Sequence, residues 1–190
     1  NCKHHAFFTL LVSTGMRLGE ALALTWNDID FNKKRISISK QYTNGLFKDH
    51  PKTDNSIRTI EIGEELSKAL MTHLVNQQEI KANVGSAYKN NNLVFANDAG
   101  GYENPSNIRN RYFKPILKKT LLNQNTTLHD LRHTFASINL MENVPVLVVS
   151  NHLGHADASI TLQVYSHFID NVAESPSITI EKILNKVEQK

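Results

Sequence analysis

The stretch HAFFTLLVSTGMRLGEALALTW, from His5 to Trp26, decides the fold class. Its first half is apolar on more than one face, which predicts a buried helix over residues 5–13 that closes at Gly15. A second helix is expected from near Arg17, with Leu18, Ala21, Leu22 and Leu24 at apolar spacing and Trp26 packing at its end. The chain therefore opens on two successive helices.

Further along, the period changes. Arg35-Ile36-Ser37-Ile38-Ser39 alternates with period two, and so does Ile57-Arg58-Thr59-Ile60-Glu61-Ile62. Asn44-Gly45 and Pro51-Lys52-Thr53-Asp54-Asn55 lie between them and are rich in turn formers, so a small antiparallel sheet of two or three strands is expected. Helical spacing returns over residues 64–82 through Leu66, Ala69, Leu70 and Leu74, ending near Gly85. Lys89-Asn90-Asn91-Asn92 reads as a solvated loop before a short buried Leu93-Val94-Phe95. Asn104-Pro105 has the form of a cap and a first-turn proline, opening a helix to about Leu122 that Pro115 should kink. Three more helices are predicted: residues 128–140, residues 145–153 ending at Gly154, and one carrying Leu162 and Tyr165. With no repeat and no splitting linker, residues 1–190 read as one domain of mixed class, mainly α with a small antiparallel β-sheet.

Composition narrows the function classes. Twenty-one Lys and Arg against 18 Asp and Glu give a formal charge of +3, which permits an acidic partner without demanding one. Hydrophobic content of 40% with 8 Phe supports a real core and excludes a disordered chain. The single cysteine, Cys2, excludes an intramolecular disulfide and a thiolate metal cluster, and suits a reducing, cytoplasmic setting. No apolar run approaches the ~20 residues of a membrane span, so no membrane partner is expected. The chain begins without Met, directly before an apolar stretch, and reads as a domain cut from a longer protein.

Cations cluster at two predicted helix starts. Arg17 is expected in the first turn of one helix, and His129 and Arg132 in the first turn of another, which Thr127 could cap with Asp130 three residues on. A helix N-terminus already carries about half a positive charge, so cations there become sensible when an anion sits between them. Glu20, three residues after Arg17, can hold that guanidinium. Arginines at helix starts are also often merely solvated. His129 and His133 share a helix face at i and i+4, as a zinc pair would, but Arg132 would sit beside the cation and no glutamate base lies between them. His133 fits a hydrogen-bonded or core residue better. Asn151-His152-Leu153-Gly154-His155 could be an ordinary helix end with histidines at its negative terminus.

Together the motifs resemble those of a known family. The segment from Thr14 to Trp26 resembles the first box of the tyrosine recombinases, the lambda-type phage integrases. His129-Asp130-Leu131-Arg132-His133-Thr134-Phe135-Ala136 is similar to their second box, and Leu153-Gly154-His155 with Tyr165 to the third. Pro51-Lys52-Thr53 before a strand resembles the turn that carries the family's lysine. The spellings look like integrases of prophages and conjugative transposons, which carry further amino-terminal DNA-binding domains. The resemblance implies an active site of Arg17, Lys52, His129, Arg132, His155 and the nucleophile Tyr165, supported by Glu20. It implies double-stranded DNA as partner, a homotetramer on DNA from a domain that could be monomeric alone, and no cofactor or metal.

These residue types suit phosphodiester transesterification. A phenol of pKa ~10 needs a positive field and a proton acceptor, for which His129 qualifies. Arg17 and Arg132 can each offer paired donors to charge building on phosphorus-bound oxygens, and His155 one more. Lys52 on a hairpin turn can protonate a departing 5′-oxygen. Arg109, Arg111, Lys114, Lys118 and Lys119, with Tyr112 and Phe113 interleaved, are candidates for holding the DNA backbone. The same residues taken singly read as a solvated helix face. Beyond Tyr165, Ile180, Ile183, Leu184 and Val187 form an apolar stripe, and residues 177–190 are expected to dock on a neighbouring protomer or on their own domain. Competing readings are a type IB topoisomerase, a DNA-binding module without catalysis, and a zinc hydrolase.

Overall fold

The computed structural model describes residues 4–43, 45–48 and 57–169, with side chains to residue 163. Lys52 and the tail stripe of residues 177–190 lie outside the described residues. The first helix, α1 (His5–Thr14), buries Ala6, Phe7, Leu10 and Leu11. It ends where Gly15 takes a left-handed φ of 61° and donates its N–H to Leu11 O at 3.0 Å. A Cβ on Gly15 would lie 2.7 Å from Leu153 Cδ2 and 2.8 Å from Phe135 Cδ1, so the turn after α1 can nest there only without a side chain. The next helix, α2 (Leu18–Ala23), begins one residue later than expected: Arg17 is its extended N-cap residue, not part of its first turn.

After a short 3₁₀ turn, Trp26–Asp28, come β1 (Ile29–Asp30), β2 (Arg35–Ile38), β3 (Gln41–Thr43), β4 (Leu46–Lys48) and β5 (Arg58–Glu61). β1, β2 and β5 form the expected antiparallel sheet in the order β1-β2-β5, with Ile36 opposite Ile60 and Ser37 opposite Thr59. A second sheet was not anticipated. β3 and β4 pair as a separate two-stranded hairpin, with Thr43 opposite Leu46, too short for its alternation to register in the sequence. The hairpin is held by tertiary contacts. Tyr42 stacks on Tyr102 with ring centroids 4.4 Å apart, and β3 lies against α2 where Gly19 leaves room for the Tyr42 carbonyl.

The long α3 (Glu64–Val84) packs against α1 through Leu66 and Leu70. The next helical run comprises α4 (Pro105–Asn107), a π-helical stretch Ile108–Phe113 and α5 (Lys114–Thr120). Asn104 caps it as expected, accepting from Ser106 N. In place of a simple kink at Pro115, the turn before it widens, with Lys114 N–H donating to Arg109 O. A proline ring clashes with the carbonyl four residues back, and a π-turn is one way to relieve that. Three helices close the described fold: α6 (Leu128–Met141), α7 (Val146–Leu153) and α8 (Ala158–Ile169). The main core unites α1, α2, the three-stranded sheet and α3; a smaller cluster of Ala136, Leu140, Val149 and Leu153 joins α6 to α7. The turn at Gly15 is where the α1–α2 corner meets this second cluster. Among the described residues no helix is long and apolar enough to cross a membrane.

Candidate functional site

The site forms around the C-terminal end of α7. That helix closes in a Schellman turn: Gly154, at φ 67°, donates its N–H to Asn151 O at 3.0 Å, and His155 donates to Ser150 O at 3.1 Å. The turn leaves the carbonyls of His152, Leu153 and Gly154 without helical donors. Each accepts from a different arginine. Arg58 Nε reaches His152 O at 2.6 Å, Arg132 Nη2 reaches Leu153 O at 2.8 Å, and Arg17 Nη2 reaches Gly154 O at 3.1 Å. The negative end of the α7 dipole and three orphan carbonyls therefore gather three guanidinium groups at one point.

These arginines arrive by different routes. Arg17 projects from the N-cap of α2, where Glu20 accepts from both its backbone N–H and its Nη1, each at 2.9 Å. Its side chain remains 34% exposed. Arg132 is the fifth residue of α6, past the first turn expected for it, and is buried; its Nη1 also donates to Gly15 O at 2.8 Å. Thr127 and Asp130 form the expected capping box of that helix. Arg58 went unrecognised in the sequence. It comes from β5 and donates through Nη1 and Nη2 to the two oxygens of Glu20, at 3.1 and 2.9 Å. One signal could have found it: Arg58 shares strand parity with Ile60 and Ile62, so it belongs to the inward face, while Ile57 is exposed. Glu20 supports Arg17 as anticipated, and Arg58 as well. Burial would raise its carboxyl, yet the hydrogen bond and charge of Arg58, with the N–H and charge of Arg17, hold it below the ordinary value.

The histidines complete the set. His155 follows the Schellman turn and places Nδ1 2.7 Å from the Thr161 hydroxyl of α8. Its pKa falls from 6.5 to about 4, first through burial and then through the charges of Arg132, Arg17, Arg58 and His129. His129 is also pushed down, by burial and then by His133, Arg132 and Arg17. The two α6 histidines share a face as predicted, with ring centroids 4.7 Å apart, but among the described residues no group of three or more His, Cys, Asp or Glu is placed to hold a metal. His152 is an anchor of the turn: its Nε2 lies 3.0 Å from Thr14 O and its ring stacks on Phe135.

Arg17, Glu20, His129, Arg132 and His155 thus come together. Tyr165 lies on α8, which packs on α6 and α7; its side chain, like the whole of Lys52, is outside what is described. The five candidate DNA-holding cations are all exposed along α4–α5, but they are not equivalent. Arg109 lines an open cleft of ≈ 510 Å³ with Leu18, Ser106, Thr127 and His129, whereas Arg111, Lys114, Lys118 and Lys119 do not. A cleft of ≈ 630 Å³ beside α3 contains none of the predicted site residues.

Known proteins resemble this chain in sequence and in fold. A tyrosine recombinase XerC-like protein of Caldanaerobacter subterraneus is 36% identical over 179 residues, covering 86% of this chain and 45% of its own. The ICEBs1 integrase of Bacillus subtilis is 30% identical over 183 residues, covering 94% of this chain and 48% of its own. The chain therefore spans about half the length of the curated relatives it matches. The structure of the Tn1549 transposon integrase, in complex with a circular intermediate DNA, superposes with a TM-score of 0.74 at 23% identity over 97% of this chain and 58% of that one, a likeness of fold. The sequence pattern of the Phage integrase family matches residues 1–171, and the chain belongs to that family.

Proposed function

We propose that this chain is the catalytic domain of a site-specific DNA recombinase that cuts and rejoins strands through a covalent 3′-phosphotyrosine. The observation that carries the reading is the seating of Arg58, Arg132 and Arg17 on the successive carbonyls of His152, Leu153 and Gly154, with the Glu20 carboxylate holding both Arg58 and Arg17. A phosphoryl group whose charge grows during substitution matches such a concentration of fixed donors. In this reading the Tyr165 oxygen attacks the scissile phosphorus, the P–O5′ bond breaks, and Lys52 gives its proton to the leaving 5′-oxygen. His129, neutral at pH 7 because burial lowers its pKa, takes or relays the phenol proton. Arg17, Arg132 and His155 hold the nonbridging oxygens. Rejoining reverses the step with a 5′-hydroxyl as nucleophile, so neither ATP nor a metal ion is required.

The substrate is duplex DNA at recombination sites, in keeping with relatives named as integrases and with a transposon integrase solved on DNA. Arg109 has the best position to grip a phosphate near His129, and Arg111, Lys114, Lys118 and Lys119 track the backbone farther along. The working form on DNA is a homotetramer in the bacterial cytoplasm, with residues 177–190 reaching a neighbouring protomer.

Incubation with a nicked duplex carrying the attachment site tests the reading. A denaturant-resistant protein–DNA band is expected, formed equally in EDTA and lost in Tyr165→Phe. A band that persists in Tyr165→Phe, or that EDTA abolishes, overturns it. Lys52→Ala should be rescued by a bridging 5′-phosphorothiolate, whose leaving group needs no proton.

A further inference from the structure

Thr161 stands at the end of the first turn of α8 and is fully buried. A helical threonine hydroxyl commonly turns back to the carbonyl four residues earlier. Here its hydrogen-bond partner among the described residues is His155 Nδ1, at 2.7 Å. Leaving a buried hydroxyl hydrogen unpaired is costly, so the hydroxyl donates and Nδ1 accepts. His155 is held neutral at pH 7 by burial and by the groups around it: Arg132 and His129 from α6, Arg17 from the start of α2 and Arg58 from β5. A neutral imidazole carries one N–H, and a Nδ1 that accepts puts that hydrogen on Nε2.

We propose that Thr161 is a positioning residue that fixes His155 as the Nε2–H tautomer, giving the arginine cluster a neutral donor only while α8 is seated. This deepens the recombinase reading and rests on it. Thr161 and Tyr165 lie four residues apart on one helix, so a single docking event brings the nucleophile's helix to the site and sets the ring that must donate to the phosphoryl oxygen. A protomer whose α8 has moved away loses the Thr161 contact, and its His155 is free to exchange tautomers. Chemistry is thereby tied to the position of the tyrosine helix.

Nitrogen-15 spectra of the histidine rings, taken at neutral pH on the DNA-free protein, test the tautomer directly. The wild type should show His155 with a protonated Nε2 and an accepting Nδ1. Thr161→Val should show a mixture, and Thr161→Ser should restore the wild-type pattern. On the nicked duplex, T161V should form the covalent adduct about tenfold or more slowly, as expected for weakening one transition-state donor, and T161S close to the wild-type rate. A wild-type His155 protonated at Nδ1, or a T161V protein that keeps either the wild-type tautomer or the wild-type rate, overturns the proposal. If T161V does not fold, the wild-type and T161S spectra still decide. Failure of the wild type to form any adduct would strike the recombinase reading and leave the ring measurement standing.

Discussion

Glu20 and Arg58 form a buried, two-pronged ion pair, with Nη1–Oε1 at 3.1 Å and Nη2–Oε2 at 2.9 Å, between side chains only 4% and 7% exposed. The same carboxylate holds Arg17, so a single acidic group sets two of the three guanidiniums at the end of α7. Such a pair is weak evidence of net stabilisation, because both charges were desolvated to make it. Breaking it is another matter.

Glu20→Ala removes the carboxylate that Arg58 pairs with in the interior and should cost about 3–5 kcal/mol of stability. Denaturant unfolding measures it. Glu20→Gln, which keeps an acceptor but loses the charge, should fall between the wild type and Ala. A loss below about 1 kcal/mol in Glu20→Ala would mean that Arg58 finds a replacement partner.

Arg17 and Arg132 should separate stability from chemistry. Arg132→Ala strips donors from the buried carbonyls of Gly15 and Leu153 and should cost about 2–4 kcal/mol in unfolding free energy. Arg17→Ala removes a partly exposed group and should cost about 1 kcal/mol or less. Both should lose covalent-adduct formation by about 3 kcal/mol or more in activation free energy while keeping most DNA affinity. Equal melting temperatures for the two variants would contradict the different burial of these arginines.

Gly15→Ala tests the α1–α2 corner. The left-handed conformation costs a non-glycine residue about 1–2 kcal/mol, and the added methyl meets Leu153 and Phe135 inside normal contact distance. A total loss of at least about 2 kcal/mol is expected in a urea titration. Because Gly15 O accepts from Arg132, cleavage should fall as well.

The histidines set a pH dependence of definite sign. His155 titrates at about 4 in the folded chain against an ordinary 6.5, so the unfolded chain binds its proton first as acid is added. Stability from this group is complete above pH 6.5 and is lost as pH falls from there to about 4. His152, His73 and His129 are shifted in the same direction, chiefly by burial. Melting temperature should therefore decline through that window, and His155→Ala should flatten part of the decline. A further limb, from protonation of Glu20, belongs below its ordinary value of 4.5 and should vanish in Glu20→Ala.

Much of this molecule was legible in its sequence because the forces concerned act within a turn or two of chain. The stop of α1 at Gly15, the Thr127–Asp130 capping box, the Asn104-Pro105 helix start and the Arg17–Glu20 pair are all i to i+4 events, written in adjacent letters. The order and spelling of the motifs around Arg17, His129, Arg132, His155 and Tyr165 carried the family resemblance without any coordinates. What the letters do not show is which backbone carbonyl a side chain will use, since every residue has one and none is marked. The docking of Arg58, Arg132 and Arg17 on His152, Leu153 and Gly154 exists only because folding brings β5, α6 and α2 to the C-terminal end of α7. Thr161 is hidden for the same reason: its partner on His155 lies across a loop from the helix that carries it. The β3–β4 hairpin stands on Tyr102, a contact between distant parts of the chain that no local periodicity encodes. Local hydrogen bonding and hydrophobic period decided the elements; the convergence of charge on one helix terminus was decided by tertiary packing.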